Sequence, residues 1–539
     1  METTGTAAGV IRPTAVPPAA RRRSRKAGPI LWALAIVAVV PSMIPLVLLA
    51  WAALQGVTTG GIPVTRLMEL LWSTGVLVVS VTLSCVALGV TTAWLTNRTN
   101  IKGRRIWSTL VILPMVIPSY VGALALLGAS GNDGAISALL TAVGLPPLPP
   151  LRGFWAAWGA LTLWNFPFVH LLAAPTLRRM NPSLEEAARG LGASRSETFV
   201  TVVLPQLRPA VAASALLVAL YTLSDFGAVS LLGYETFTRA IYAQFRGRVD
   251  ITPALFLSGV LTIVALTIVI AERRIRGRRT YHSNRPTRPA RVVTLLGWHR
   301  MAAYVVLGLA VTLSLALPTA VLAWWTVRGL SLGLPVESVL LETGRAGLLG
   351  GSTAFATAAM AIPVAVLTVR HRSVGSGWLE TIAWSTYSLP HLAVALAFLV
   401  FALRILPVGY QTLPMLVAAL AAVFLPQALG ATQSALRQVG PQLEDASRIL
   451  GHSPASTLRR VVLPLISPGL LAGGALVFLT TMKELPITLM LRPTGFETLA
   501  VRIWSTASEG LYTRASVASL VLLAISAVPL YLLVTRDLE

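Results

Sequence analysis

The 539-residue chain has few charged side chains, one cysteine and three lysines. Asp, Glu, Lys and Arg make up 12% of the sequence, about half of the roughly 25% that is usual in a soluble domain. The apolar residues AVILMFWYC make up 55%. A surface so poor in charge could not be solvated, which excludes a soluble protein. Because Cys85 stands alone, disulfides within the chain and cysteine metal clusters are excluded as well.

The sequence also lacks nucleotide-binding and catalytic motifs. A phosphate-binding loop needs G-x-x-x-x-G-K-[ST], but Lys26, Lys102 and Lys483 have no preceding Gly and no following Ser or Thr. The six histidines are scattered singly. For His170 and His391, in apolar segments, both a packed structural role and contact with a substrate remain open. The sequence therefore predicts a chain that is no enzyme and holds no cofactor or metal, with any ATP and Mg bound by a partner.

Long apolar stretches are what the chain has instead. Crossing a bilayer takes ~20 apolar residues, and stretches of this length form two series of six. The first series covers 29–54, 72–96, 106–128, 153–175, 207–232 and 251–271, and the second covers 301–326, 346–369, 377–403, 411–436, 465–490 and 512–535. The sequence predicts an all-α polytopic membrane protein with about twelve transmembrane helices in two homologous six-helix halves.

Basic residues follow the membrane topology that these stretches imply. The net charge is +23, and most arginines fall in the N-terminal segment and in alternate loops, the pattern of cytoplasmic segments. This sorting favours contact with membrane lipid over a nucleic-acid partner, and it places both termini in the cytoplasm. The chain then divides into a basic disordered tail, a first transmembrane half, a basic cytoplasmic linker and a second transmembrane half, at 1–28, 29–271, 272–300 and 301–539.

One predicted cytoplasmic loop occurs twice. The segments Asn181–Pro205 and Gly440–Pro464 align without a gap at an offset of 259 residues, which indicates two related halves that carry the same functional part. In each copy a proline, Pro182 or Pro441, follows a residue suited to begin a helix. A glycine eleven residues from the start of each segment, Gly192 or Gly451, is suited to end that helix.

Each loop helix is predicted to carry a stripe of mostly small apolar residues at helical spacing. On its outer face, Glu185 is expected to pair with Arg189, and Glu444 with Arg448, at i, i+4. A second short helix is predicted to start at once and to lead into the fifth transmembrane helix. The stripes consist of Leu184, Ala187, Ala188 and Leu191 in the first copy and Leu443, Ala446, Ser447 and Leu450 in the second. Small exposed side chains allow another protein to approach closely, so we interpret the loops as docking surfaces.

The first loop resembles the cytoplasmic signature of permease subunits in binding-protein-dependent ABC importers. That signature reads Glu-Ala-Ala, three residues, Gly and a downstream Leu-Pro, and it stands here as Glu186-Ala187-Ala188, Gly192 and Leu204-Pro205. The second copy departs from it at two positions, Asp445 and Ser447. Two copies in one chain resemble the fused permeases of the ferric iron and thiamine type, with a type I importer fold. The resemblance implies that the loop helices couple to the ATPase through Glu185, Glu186, Ala187, Ala188, Gly192, Glu444, Asp445, Ala446, Ser447 and Gly451.

The resemblance also implies a function and partners. A permease of this kind passes a substrate delivered by an extracytoplasmic binding protein across the bacterial inner membrane. It is driven by a separate ABC ATPase, expected in two copies. Ferric iron is the first expectation for the substrate, with thiamine, phosphonate or polyamine as alternatives. A secondary transporter and a polytopic enzyme are further alternatives, but the first would not need paired docking loops and the second would need a catalytic cluster.

Acidic residues stand at equivalent depths of the two halves. Asp225 and Glu484 are separated by the same 259 residues as the loops, and Lys483 precedes Glu484. Ionisable groups at membrane depth are costly and usually face a bundle interior or a water-filled cavity. Two interpretations stay open: a structural bridge from Lys483 to Asp225 across the halves, and a pathway or gate formed by all three.

Overall fold

The computed structural model describes residues 27–59, 62–247, 250–276, 293–331 and 337–536. These residues are predominantly helical, and the described part contains no strand, only an isolated parallel bridge between Thr99 and Val293. The all-α prediction is therefore confirmed. The predicted tail at 1–28, apart from its last two residues, and 277–292 of the predicted linker lie outside the described residues.

In the described residues, each half contains twelve α-helices, and those of the first half lie between Pro29 and Arg276. They are α1 (Pro29–Thr59), α2 (Val64–Arg98), α3 (Arg104–Ile112), α4 (Ser119–Ala129), α5 (Ala135–Ala142), α6 (Gly153–Arg178), α7 (Pro182–Gly190), α8 (Arg195–Thr198), α9 (Leu204–Ser224), α10 (Gly227–Leu231), α11 (Phe237–Gly247) and α12 (Thr252–Arg276). A π-helical turn, Phe199–Val203, joins α8 to α9.

The second half contains another twelve. They are α13 (Gly297–Val311), α14 (Leu317–Ser331), α15 (Glu337–Arg370), α16 (Val374–Ser385), α17 (His391–Arg404), α18 (Leu413–Gln438), α19 (Pro441–Ile449), α20 (Pro454–Thr457), α21 (Leu463–Met482), α22 (Pro486–Leu491), α23 (Leu499–Ser508) and α24 (Tyr512–Arg536). The π-helical turn recurs at the equivalent place, Leu458–Val462, and joins α20 to α21.

In the described residues, nine helices are long and apolar enough to span a membrane. Two bent pairs raise the number to eleven, and the twelfth predicted stretch corresponds to α24, Tyr512–Arg536. The predicted stretches 106–128 and 377–403 are not straight helices, because α3 meets α4 at 93° and α16 meets α17 at 113°. A proline, Pro118 or Pro390, directly precedes the second helix of each pair and cannot continue the first.

The fifth predicted stretch of each half is also shorter than expected. The sequence indicated helices through 207–232 and 465–490, but α9 ends at Ser224 and α21 ends at Met482. A short helix follows each break, α10 or α22. Asp225 and Lys483-Glu484 therefore lie in breaks between helices, and not inside the fifth helix as predicted.

Three long helices form the packed centre of each half. In the first half α2, α6 and α9 pack against one another, and in the second half α15, α18 and α21 do the same. Buried residues of α2 recur every three or four positions, as in Leu70, Thr74, Leu77, Val81 and Cys85, which is the spacing of a single helical face. Apolar residues on the remaining faces, such as Val79 and Leu83, are exposed and form a surface suited to lipid.

The first helix of each half packs on the opposite half. α1 contacts α15, α16 and α17 as well as α12 of its own half. In return α14 packs against α4, and α13 contacts α2 and α3. This exchange ties the halves together, so the boundary drawn in the sequence at 272–300 separates repeats and not independently packed units.

Candidate functional site

The duplicated loop folds into a short helix in each half, as predicted. In α7 the Asn181 side chain accepts a hydrogen bond from the Ser183 backbone N–H at 3.1 Å, with Pro182 as the first helical residue. In α19 Gly440 occupies the capping position and Pro441 follows it. Both helices thus begin with a residue that has no N–H to leave unpaired.

Gly192 and Gly451 end these helices. Their φ angles are +92° and +84°, in the left-handed region that residues with a Cβ rarely adopt. The residue after each glycine donates its N–H to a carbonyl five positions back, Ala193 to Ala188 and His452 to Ser447. This pairing is the usual glycine stop of a helix, so the predicted helix ends are confirmed.

Glu185 does not face solvent, contrary to the sequence interpretation. Its carboxylate forms an ion pair with Arg98, the last residue of α2, and the side chains of Arg98 and Glu185 are 0% and 9% exposed. The predicted pair with Arg189 is not found. Glu185 therefore lies on the inner face of α7, towards the end of α2.

Glu444 has an equivalent partner in the second half. Its Oε1 accepts a hydrogen bond from Nε of Arg370, the last residue of α15, at 2.7 Å. The predicted pair with Arg448 is present but longer, at 3.9 Å. The two arginines were missed because they are 272 positions apart, not 259. The signal that would have found them is their shared position. Each is the basic residue that ends the second membrane-spanning helix of its half, α2 or α15.

The opposite face of each loop helix is exposed. Leu184 and Leu191 are 53% and 90% exposed, and Leu443 and Leu450 are 50% and 78% exposed. Glu186, Ala187 and Ala446 are also exposed. A row of apolar side chains held towards solvent is typical of an interaction surface.

Two residues of the predicted stripe lie elsewhere. Ser447 is buried, and its hydroxyl lies 3.0 Å from the hydroxyl of Thr457 in α20. Ala188, at the equivalent position, is half-buried. At helical spacing this position turns towards the helix that follows the loop, so these residues pack the loop and leave the exposed face to the others.

The second short helix of each loop is not a separate unit. Its predicted start is confirmed, because the Ser194 hydroxyl accepts from the Glu197 N–H at 3.2 Å and the Ser453 hydroxyl accepts from the Ser456 N–H at 3.2 Å. Through the π-helical turns, however, each short helix continues into the fifth span, giving the continuous segments Ser196–Ser224 and Pro454–Met482. The loop helices α7 and α19 pack against the starts of these continuous segments.

A cavity of about 240 Å³ lies between the halves. The first half contributes Asn165, Tyr221 and Asp225, and the second contributes Tyr387, Gln427, Lys483 and Glu484. The three charged residues predicted from the sequence are thus brought together on its wall. Polar side chains from both repeats converge on one space at the junction of the halves.

Asp225 and Glu484 cap the short helices that follow the breaks. Asp225 Oδ1 accepts from the N–H groups of Ala228 and Val229 at 3.1 and 3.2 Å. Glu484 accepts from Ile487 and Thr488, the positions 259 residues later, at 2.9 and 3.0 Å. The first N–H groups of a helix have no partner within it, and here the acidic side chains supply one.

Lys483 does not bridge to Asp225, which corrects the structural interpretation of that pair. Its Nζ donates to the Met115 carbonyl of the first half at 3.1 Å. Asp225 instead accepts a short hydrogen bond from the Ser119 hydroxyl. At the cavity, Lys483 therefore contacts the first half through a backbone carbonyl, and the Tyr120 hydroxyl donates to the Lys483 carbonyl at 3.4 Å.

The two intramembrane histidines differ in their surroundings. His170 is fully buried, and its ring nitrogens lie 3.0 Å from the Thr92 hydroxyl and 3.3 Å from the Ser108 hydroxyl. His391 lines the cavity, with Nδ1 3.5 Å from Glu484 Oε1. His170 is thus packed within the first half, whereas His391 is open to the cavity. Over the described ranges, no three His, Cys, Asp or Glu side chains are grouped to hold a metal ion.

The fold and the paired loops define a multi-pass membrane permease made of two homologous halves. The family of inner-membrane components of binding-protein-dependent transport systems matches this chain twice, at residues 85–272 and 358–536. The chain belongs to this family. It is a transport permease subunit and not an enzyme, and the family description implies a separate ATPase and a solute-binding protein as partners.

Individual relatives are similar over different lengths. The Fe(3+)-transport system permease protein FbpB 2 of Haemophilus influenzae is 32% identical, over 87% of this chain and 90% of the relative. The ferric transport system permease protein FbpB of Actinobacillus pleuropneumoniae is 25% identical, over 74% of this chain and 61% of the relative. The sulfate transport system permease protein CysT of Escherichia coli is 33% identical, over 26% of this chain and 50% of the relative.

The capping geometry predicts different effects on stability for two substitutions at Asp225. Asp225→Asn keeps an acceptor oxygen for the N–H groups of α10, so the melting temperature should stay close to that of the unmodified protein. Asp225→Ala leaves those groups unpaired and should cost about 1 kcal/mol. Thermal unfolding in detergent measures both, with Glu484→Gln and Glu484→Ala as the matched pair. Equal melting of the Asn and Ala variants would contradict the capping role.

Proposed function

We propose that this chain is the permease of a ferric iron importer. It passes iron delivered by an extracytoplasmic binding protein, and an ATPase docked on α7 and α19 drives the transport. Similarity over nine-tenths of the length of a relative named for Fe(3+) transport supports the substrate. The relative named for sulfate transport matches about a quarter of the chain, so its substrate has weaker support. Thiamine, phosphonate and polyamine remain alternatives to be tested.

The observation that carries the proposal is the pair of loop helices with one anchored and one exposed face. Glu185 and Glu444 hold the inner faces to Arg98 and Arg370. The outer faces present Glu186, Ala187, Ala446 and four exposed leucines. Two such surfaces fit two copies of an ATPase, each of which binds its own ATP and Mg. In the first copy the docking residues are Glu186, Ala187 and Gly192, and in the second they are Asp445, Ala446 and Gly451.

The cavity between the halves is the proposed route of the substrate. Asp225, Lys483 and Glu484 line it, and their positions in helix breaks allow the surrounding segments to shift without unwinding a long helix. The capping bonds of Asp225 and Glu484 are compatible with a pathway role, because each of these two residues both caps a helix and faces the cavity. If the charge matters for passage, Asp225→Asn and Glu484→Gln should reduce uptake while melting stays unchanged.

The substrate proposal is tested by ATP hydrolysis in liposomes that contain the permease and its ATPase. We expect ferric iron loaded on the binding protein to stimulate hydrolysis, and thiamine, sulfate, a phosphonate or a polyamine, each on its own binding protein, to give none. Omission of the binding protein serves as the control. Stimulation by one of the other ligands, without stimulation by ferric iron, would overturn the substrate assignment and keep the importer.

The docking proposal predicts that Gly192→Asp and Glu186→Lys abolish uptake while the protein stays in the membrane. A side chain at Gly192 is strained at its φ of +92°, and charge reversal at the exposed Glu186 opposes the partner surface. Co-purification of the ATPase and uptake by membrane vesicles measure the effect. Glu337→Lys, a charge reversal at an exposed residue of α15, is the matched control. Normal uptake by both variants at normal expression would exclude docking at this loop.

The same proposal fixes the orientation in the membrane, with both termini and both loops in the cytoplasm. The Val293 N–H donates to the Arg98 carbonyl at 2.7 Å, so the end of the linker lies beside the residue that holds α7. A topology reporter after Arg285, which lies outside the described residues, should read cytoplasmic. Reporters at Gly233 and Thr494, beyond the far ends of the fifth spans, should read external. A cytoplasmic signal at Gly233 would reverse the assignment.

A further inference from the structure

One arginine in each half joins the helix that it ends to two other helices. Arg98 ends α2, its guanidinium pairs with Glu185 of α7, and its Nη1 donates to the Leu177 carbonyl in the last turn of α6 at 3.4 Å. Carbonyls in the last turn of a helix have no partner within that helix. The guanidinium therefore joins the end of one core helix, the end of another and the loop helix.

Arg370 makes the two equivalent contacts in the second half. It ends α15, pairs with Glu444 of α19, and its Nη2 donates to the Leu436 carbonyl in the last turn of α18 at 3.1 Å. Leu436 and Glu444 lie 259 residues after Leu177 and Glu185, so these two acceptors are equivalent in the two halves. Arg370 Nη2 also donates to the Val439 carbonyl at 2.8 Å, whereas Arg98 contacts the equivalent residue, Met180, through its sulfur at 4.0 Å. The arginines alone are offset differently, and the fold still delivers each guanidinium to the same place.

The chemistry of the contact requires a guanidinium. Arg presents five N–H donors in a rigid planar fork and can bind a carboxylate and a carbonyl at once. A lysine ammonium is a point charge on a flexible stem, and it would not fix the relative directions of the two acceptors. The loop helix also packs against the short helix and the π-helical turn that follow it, and this fork adds the contact that ties it to the ends of the core helices.

We propose that Arg98 and Arg370 are positioning residues for coupling. Each transmits movement between its loop helix and the core helices that border the cavity. The inference rests on the proposed docking of an ATPase at α7 and α19. It adds that the guanidinium fork, and not merely charge balance, makes ATP hydrolysis productive.

The two arginines differ in burial and in hydrogen bonding. Arg370 donates to Glu444 and to the Leu436 and Val439 carbonyls at 2.7, 3.1 and 2.8 Å, whereas Arg98 donates to the Leu177 carbonyl at 3.4 Å and its Nε has no hydrogen-bond partner among the described residues. Arg98 is fully buried, and its own backbone carbonyl accepts from Val293, just before α13 of the second half. Arg370 is 14% exposed, and water competes for its carboxylate partner. Loss of Arg98 should therefore impair coupling more than loss of Arg370. The expected difference in effect rests on burial.

The test separates a positioning role from charge balance. Arg98→Gln alone strands the buried Glu185 carboxylate and endangers folding. The double variant Arg98→Gln, Glu185→Gln removes both charges, and burial of the neutral pair leaves no uncompensated charge. If the pair only balances charge, the double variant should behave like the unmodified protein. The positioning role predicts normal melting, a bound ATPase and continued ATP hydrolysis, with uptake per ATP reduced about tenfold or more.

The measurement is iron uptake and ATP hydrolysis in the same proteoliposomes, with ferric iron loaded on the binding protein. Arg105→Gln, at an exposed arginine of α3, is the control. It should leave the ratio of iron taken up to ATP hydrolysed unchanged. Arg98→Lys keeps the charge without the fork and should give an intermediate ratio. The equivalent Arg370→Gln, Glu444→Gln variant should show a smaller loss.

A ratio within twofold of normal in the Arg98→Gln, Glu185→Gln variant, with the ATPase bound, would overturn the positioning role and leave docking intact. If that double variant does not fold, normal coupling in Arg98→Lys or in the second-half double variant would overturn it equally. Failure of the unmodified permease to bind any ATPase would instead remove the proposed function itself.

Discussion

The arrangement of both loops depends on a buried ion pair where each loop helix meets the membrane core. A charge removed from water is stable only when it is paired and hydrogen-bonded, and Glu185 and Glu444 each find an arginine that ends the second helix of their half. Because the inner face of the loop helix is anchored in this way, its leucines and alanines are held outwards. The exposed surface is thus a consequence of the ion pair that the opposite face of the helix must form.

Polar groups inside the membrane follow the same logic. The fifth span of each half breaks before a short helix, and an acidic side chain caps the N–H groups that the break exposes. The breaks bring Asp225, Lys483 and Glu484 to a cavity shared by both halves. Continuous helices connect this cavity to the loops, since α8 runs into α9 and α20 into α21 without interruption. The loop helices pack against the starts of these segments, and the other ends of the segments line the cavity.

Features set by neighbouring residues could be predicted from the sequence. The starts and stops of α7 and α19 depend on Pro182, Pro441, Gly192 and Gly451, all within the loop, and they were confirmed. Partners distant in the chain could not be predicted, because helical spacing does not reveal that Glu185 faces Arg98, 87 residues away. The bends and breaks were missed because hydropathy measures the composition of a segment. It does not show whether the helix axis changes direction within that segment. Pro118 and Pro390, which precede the bends, were the available signal.

The central claim is that the exposed faces of α7 and α19 contact an ATPase, and cross-linking tests it most directly. Cys85 is the only cysteine and is buried, so its replacement by serine gives a background in which single cysteines can be placed at Ala187 and Ala446. Both should cross-link to the ATPase in the assembled complex. A cysteine at Gly233, which follows the opposite end of the fifth span, should not. Absence of cross-links at both loop positions in a complex that transports its substrate would contradict the account.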